Sequence, residues 1–346
     1  METTVGNIFP TQAKVTPSFT EPELILTYSQ ASGAFAALAG GKPRVKIGSE
    51  DMAVYVNRLD LRTEVAVGQS PANLLPSASL EVNYYSTPTY LIRTRAVWDH
   101  HDIARASGWN VALPAAQDLA MRQGIFLQMR TGLLVGFNPN NGEGLLNTSG
   151  ATPVALPPDS FGNTSASSYD NGQMALFFLN QIVALKARMW QSGGNIKNNI
   201  VVISPQRIFL QLAYANIVLV TSYQRPGAGT STTGDVIKAT AVAGGDTFEW
   251  YFDDTLIGAA PGLINDAVLL TMPEIEQPTI PGINTNDFAG LQPNIKAANL
   301  MYADMSAPMK IPTPTEDGAT TELQELRITS GWCIRPQALS IISMPY

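Results

Sequence analysis

Between Pro114 and Pro205 the chain runs helix, turn, loop, helix, strand, and this order constrains the fold more than any other stretch. Pro114 suits the first turn of a helix, where its missing N–H costs nothing. Ala116, Leu119, Ala120, Phe126, Leu127, Leu133 and Leu134 then recur at helical spacing, which predicts one long amphipathic rod. The rod is expected to stop around Gly136, Asn138 and Pro139. Gly142-Glu143-Gly144-Leu145-Leu146-Asn147 reads as a tight turn leading into a short apolar plug, and Pro153 to Ser168, rich in Pro, Ser, Thr and Gly, as a floppy connection. A second helix has Asp170 as N-cap, Gln173 as capping-box partner and Gly193-Gly194 as stop. Lys186 and Arg188 sit near its C-terminal end, where the macrodipole favours cations. Met174, Phe177, Phe178, Ile182, Leu185, Met189 and Trp190 make a wide apolar stripe, so this helix must pack against something large. Ile200-Val201-Val202-Ile203 is an unbroken apolar run consistent with a buried strand, followed by a short helix from Gln206 to Tyr214.

With 346 residues the chain is long enough for two domains, or for one with large extensions. Charged residues make up 14% of it, against about 25% in ordinary soluble proteins, while hydrophobic residues at 45% are ordinary. The deficit lies on the surface. Such a surface suits burial against other protein, because interface cores are depleted in charge; a β-rich extracellular domain with a Thr/Ser/Asn surface has the same composition. Lys and Arg number 21 and Asp and Glu 28, a net charge of −7, and no stretch gathers five or six basic residues. That argues against tight or sequence-specific DNA binding, which needs clustered cations at the phosphates. A lone cysteine, Cys333, rules out an internal disulfide framework and reads as a buried core thiol rather than a nucleophile. The first thirty residues lack a basic leader and an apolar h-region, and no run reaches the ~18 to 20 apolar residues of a membrane span. The expectation is a reducing cytoplasm and no membrane.

Residues 1–50 are interrupted by Pro and Thr, apart from a helical patch from Tyr28 to Ala39, and read as an extended arm. Alternation then takes over: Val54, Val56, Leu59 and Leu61, then Leu80, Val82 and Tyr84, later Tyr90, Ile92 and Val97. Two strands joined across Gly68 to Ser79 make a long hairpin within Ala53 to Ala104, marginal in water without a neighbour to lie on. After Pro205 the reading is short strands at Ile217 to Ser222, Val236 to Ala243, Phe248 to Phe252 and Ala267 to Thr271, with loops at Gly227 to Gly234 and Pro278 to Pro293. Asn299 to Lys310 is apolar and is expected to return toward the first module. The fold class is α+β.

Few residues offer chemistry. Trp98-Asp99-His100-His101-Asp102 holds both histidines, but neighbours on a strand point to opposite faces and a helix needs i, i+4 spacing to share a metal. A structural or solvated cluster is the reading. No Gly-x-Ser-x-Gly elbow accompanies these histidines. Gly229 to Gly234 has the gap of a phosphate loop, yet Asp235 stands where Lys must reach the phosphates. Asp253-Asp254 reads as a solvated hairpin tip. Asn147-Thr148-Ser149 and Asn163-Thr164-Ser165 match glycosylation sequons, read as chance without a secretory leader. Aromatic residues are not interleaved with basic ones, so no single-strand platform is indicated. No catalytic, cofactor-binding or metal-binding residue is assigned, and no cofactor is expected.

The long helix, the Gly142 to Asn147 turn, the second helix and the Val201 to Leu212 strand-to-helix step together resemble the major capsid protein of tailed bacteriophages, whose shell fold is named after phage Hong Kong 97. The closing strands from Glu322 to Tyr346 agree, with Arg335-Pro336 and Ala338 before a final strand. The resemblance covers Pro114 to Tyr346. It implies an N-terminal arm over 1–50, an extended hairpin (the E-loop) over 51–112, a peripheral domain over 113–205 and 306–346, and an axial domain over 206–305. It also implies a non-enzymatic virion subunit that self-assembles, in the host bacterial cytoplasm, into hexamers and pentamers of an icosahedral shell. That shell encloses double-stranded DNA without specific binding. Some members join subunits through an isopeptide bond from a hairpin lysine to an asparagine of another chain; here no lysine lies between Lys46 and Lys186, so no such cross-link is expected. The arm is too short and uncharged for a built-in scaffold, so a separate scaffolding protein or none is expected, with portal and decoration proteins as further partners. An encapsulin-like bacterial compartment shares the fold and is one alternative. A monomeric β-rich hydrolase or carbohydrate-binding domain, using Asp253, Asp254 or the His100 region, is the other.

Overall fold

The structure, a computed structural model, describes residues 33–38, 45–62, 79–108, 111–159, 161–189, 198–214, 232–260, 265–276, 296–315 and 318–346. The first half comprises α1 (Gly33–Ala37), β1 (Val45–Lys46), β2 (Ala53–Arg62), β3 (Ser79–Trp98), α2 (His100–Ser107), α3 (Leu113–Leu134), β4 (Thr152–Ala155) and α4 (Asn171–Arg188). Then come β5 (Asn199–Ser204), α5 (Gln206–Tyr214), α6 (Thr233–Ala243), β6 (Thr247–Phe252), β7 (Asp266–Thr271), β8 (Glu274–Glu276) and β9 (Lys296–Ala298). The chain closes with β10 (Leu300–Met301), β11 (Ala303–Asp304), β12 (Met309–Pro314), β13 (Thr320–Thr329), β14 (Trp332–Cys333) and β15 (Leu339–Met344).

A five-stranded mixed sheet, ordered β4-β15-β7-β5-β6, divides the interior in two. Val201, Ile203 and Leu269 belong to one apolar cluster, with Leu133, Leu134, Leu145 and Trp332. Ile200, Val202, Val268 and Leu270 belong to a second, with Phe178, Ile182 and Leu185 of α4, Ile208 of α5 and Ile237 of α6. Alternate residues of one strand thus enter different cores, so both faces of the sheet are dry and Ile200 to Ile203 need no polar position. The sheet crosses the boundary expected at Pro205, since β5 and β15 lie among β6 and β7.

The second sheet has six strands, β1-β11-β13-β3-β2, with β12 also on β13. Helix α3 packs on β3 and β13. Asp118 of α3 accepts from Gln324 Nε2 and Lys310 Nζ, and it sits 2.7 Å from Arg122. The Lys310 hydrogen bond comes first among the contacts that hold its carboxyl below the usual range.

Several expectations change. Val236 to Ala243 is helix, not strand: Thr232 and Asp235 form a capping box, Thr233, Ile237 and Ala241 are buried at i, i+4, i+8, and Gly244 closes the end. Short apolar runs suit either period, and the cap decides. Helix α3 begins with Pro114 in its first turn, but Met121 and Ile125 are buried while Ala116, Ala120 and Leu127 are exposed. Leu133 and Leu134 of the expected stripe are fully buried, so the spacing finds the C-terminal end of the buried face and misses Met121 and Ile125. Asp170 caps α4 through Gly172 N, and Gln173 is not its partner. The helix ends at Arg188, and Gly193-Gly194 lie outside the described residues, as do 217–222 and 278–293. Pro153 to Ser168 is held rather than floppy. Strand β4 pairs with β15, and the Asp159 carboxylate accepts from Phe161 N, Asn163 N and Asn163 Nδ2 at 2.7 to 3.1 Å.

Candidate assembly surface and hairpin root

Strand β3 is 20 residues long, roughly 66 Å at about 3.3 Å per residue. It serves two partners in turn. Ser79 to Pro88 pair with β2, and Thr89 to Trp98 pair with β13. The first half, with β2, is a two-stranded ribbon that leaves the body formed by β1, β11, β12, β13 and the second half of β3.

Tyr55 and Tyr84 are 66% and 70% exposed, with their rings 5.9 Å apart edge to face. Backbone register pairs Leu59 with Val82, Asp60 with Glu81 and Leu61 with Leu80 further along the ribbon. The face of the body turned away from α3 is open too: Val97, Met309 and Ile311 are exposed there, beside Arg95 and the Arg93–Glu325 pair at 2.9 Å. Strand β12 carries Pro312 and Pro314 along a sheet edge, which removes donors from it and blunts edge-to-edge pairing.

The root of the ribbon is built around Glu143. Its Oε1 accepts from Tyr90 Oη at 2.7 Å, and its Oε2 from Ser330 Oγ at 3.0 Å and Asn138 N at 3.2 Å. Burial, and then the bond to Glu143, push the Tyr90 phenol up to about 12. The Gly142 to Asn147 turn brings this carboxylate in because Gly136 and Gly144, both at positive φ, let two backbone segments touch. A Cβ on Gly144 would stand 2.4 Å from the Val135 carbonyl carbon. Sequence reasoning found the turn and missed the role of Glu143; the glycines flanking it were the available signal.

The other sequence candidates take part in local caps, turns and ion pairs. Asp99 and Asp102 form the capping box of α2, and His100 and His101 occupy its exposed first turn with rings 3.9 Å apart. Asp253 is buried rather than at a solvated tip. Its Oδ1 accepts from Thr255 N and lies 3.7 Å from Arg130 Nε, because the turn it caps folds inward against α3. Asp254 accepts from Gln206 N at the start of α5. Asp235 caps α6, and 229–231 lie outside the described residues. The sequon amides are engaged internally, Asn147 Nδ2 with Val135 O and Asn163 Nδ2 with Asp159 Oδ2. Burial pushes the Cys333 thiol up to about 12. Among the described residues no group of three or more His, Cys, Asp or Glu could hold a metal, and no helix is long and apolar enough to cross a membrane.

A ribbon projecting from a one-sided sheet, a long spine helix and a two-faced mixed sheet define the α+β shell fold of the Hong Kong 97 type. Solved capsid structures share it over nearly the whole chain. The capsid of Myoviridae phage XM1 superposes with a TM-score of 0.68 at 10% identity, covering 98% of this chain and 99% of that one. A Mycobacterium phage Adephagia chain gives 0.56 at 10% identity, covering 96% of each. The capsid of the native GTA particle gives 0.54 at 10% identity, again with 96% of each. No protein-family model and no curated protein matches the chain.

Proposed function

We propose that this chain is a major capsid subunit that self-assembles into an icosahedral shell around the double-stranded DNA of a tailed phage. The carrying observation is the ribbon: Tyr55 and Tyr84 face solvent on a two-stranded element that is marginal in water without a neighbour. A second copy is the natural cover, with the ribbon lying over an adjacent subunit, the 1–50 arm reaching beneath another and α3 stiffening the body. Several modest contacts of about 1,000 Å² each become strong when one chain engages many neighbours at once. The similarity in fold to phage capsid chains supports this reading. So do the structural uses of Asp253, Asp254 and the Asp99 to Asp102 segment, which a hydrolase would need for chemistry.

The role is architectural and non-enzymatic, in the virion, with assembly in the host cytoplasm and with scaffolding, portal and decoration proteins as partners. In this reading 1–50 form the arm, 51–112 the ribbon region, 113–205 and 306–346 the peripheral unit and 206–305 the axial unit, with the five-stranded sheet joining β4, β5 and β15 of the peripheral unit to β6 and β7 of the axial one. The net charge of −7 lets the wall contain DNA without gripping it. The test is sedimentation and electron microscopy of the full chain, alone and with candidate scaffolding protein. Closed particles are expected, giving a single monomer band in denaturing gels; a lone 37.1 kDa species at high concentration overturns the proposal. Protein cargo in place of DNA in native particles indicates the compartment alternative.

A further inference from the structure

We infer that Arg327 is the positioning residue that fixes the angle at which the β2–β3 ribbon leaves the body. In its consequence for shells this rests on the assembly reading; the geometry stands without it. Strand β3 changes partners between Pro88 and Thr89. Pro88 brings no N–H to that joint, and among the described residues β2 has no ladder partner other than β3.

One nitrogen spans the joint from the body side. Arg327 Nη1, on β13, lies 3.1 Å from Asp51 O, 3.0 Å from Thr89 Oγ1 and 3.7 Å from Met52 Sδ. The Thr89 hydroxyl accepts from the guanidinium and donates to Asp51 O, while Thr89 N donates to Met52 O at 3.0 Å. Asp51 is itself fixed, since its carboxylate accepts from Gly48 N at 2.7 Å. Arg327 thus ties β13 to the entry of β2 and the middle of β3 together. Beyond the joint, Tyr90 is held by Glu143 and by the Phe137 ring at 4.9 Å, so the body half of β3 is locked independently. Breaking the Arg327 contacts frees the ribbon and leaves both sheets intact.

The test uses the full chain carrying Arg327→Met, which keeps length and removes the donors, and Arg327→Lys, which keeps one charged nitrogen. Pulsed hydrogen exchange compares amides of β2 and Ser79 to Pro88 with those of Tyr90 to Trp98 and of β5 to β7. Arg327→Met is expected to speed ribbon exchange roughly tenfold, the scale of one lost charge-assisted hydrogen bond, with the body unchanged. Arg327→Lys restores most of the protection, because a single nitrogen makes all the contacts. Unchanged ribbon exchange in the Met variant overturns the inference, as does faster exchange spread equally over both sheets, or a Lys variant as fast as Met. Wild-type protein that never assembles counts against the shell reading alone, since the exchange comparison still decides the role of Arg327.

Discussion

The five-stranded sheet and the ribbon are both β-structure and end in opposite situations. In β5 and β7 alternate apolar residues enter two different cores, and β7 is buried along its whole length. In β2 and the first half of β3 Tyr55 and Tyr84 are exposed. The first is finished within the chain; the second ends in rings that the chain leaves uncovered. Stability of the subunit and competence to assemble should therefore be separable by mutation, and four measurements challenge that separation.

The largest loss of stability is expected inside the five-stranded sheet. Leu269 is fully buried at its centre, so Leu269→Ala should cost about 2–5 kcal/mol in denaturant unfolding through lost transfer energy and a residual cavity. A cost near zero would mean that this sheet is no more complete than the ribbon.

Next comes the root, where the two regions meet. Glu143→Gln replaces an acceptor of three hydrogen bonds with a group whose NH₂ must face a donor, at about 1–3 kcal/mol. The alkaline limb of stability reports on the same site. Tyr90, Tyr251 and Tyr302 rise from 10.0 to about 12, and Cys333 from 9.0 to about 12, so the folded chain holds protons that the unfolded chain releases. Their contribution is complete below pH 9 and is lost as pH climbs toward 12. Tyr90→Phe removes one of these protons and should flatten the decline of Tm with pH over that window; an unchanged slope would mean that the phenol is not held by burial and Glu143.

How much of this was legible in the sequence follows the same divide. Helix α4 was readable from its cap, the two ribbon strands from their alternation, and β5 from a short unbroken apolar run ending at Pro205. Helix α6 was not, since Val236 to Ala243 alternates well enough for a strand and only the Thr232–Asp235 box distinguishes them. The buried face of α3 was legible only in part, because Ala and Leu recur on several sides of the helix and packing on β3 and β13 selects among them. Glu143, Arg327 and Asp159 were hidden for other reasons. The Tyr90 and Ser330 partners of Glu143 and the Asp51 and Thr89 partners of Arg327 lie far along the chain, where no local spacing encodes them, whereas Asp159 closes a local turn on Phe161 and Asn163 inside a stretch whose Pro, Ser and Gly content reads as loop. Asp253 misled because a carboxylate pair in a turn reads as solvated until α3 is seen to cover it.

The smallest effect on the subunit separates the two regions best. Tyr55→Ser combined with Tyr84→Ser removes two rings that are mostly solvated, so only their mutual edge-to-face contact, about 0.5–1.5 kcal/mol, is at risk. Unfolding by denaturant should shift by no more than that, while sedimentation and electron microscopy should show closed particles replaced by free subunits. A loss of several kcal/mol would place the tyrosine pair in a core of its own chain and erase the contrast with β7. Normal particles from the double variant would leave the contrast standing but move the contact elsewhere, and the open face around Val97, Met309 and Ile311 would then be the next surface to alter. The pair is informative because exposure makes it nearly neutral for folding, so any effect on assembly must come from a neighbour that covers it.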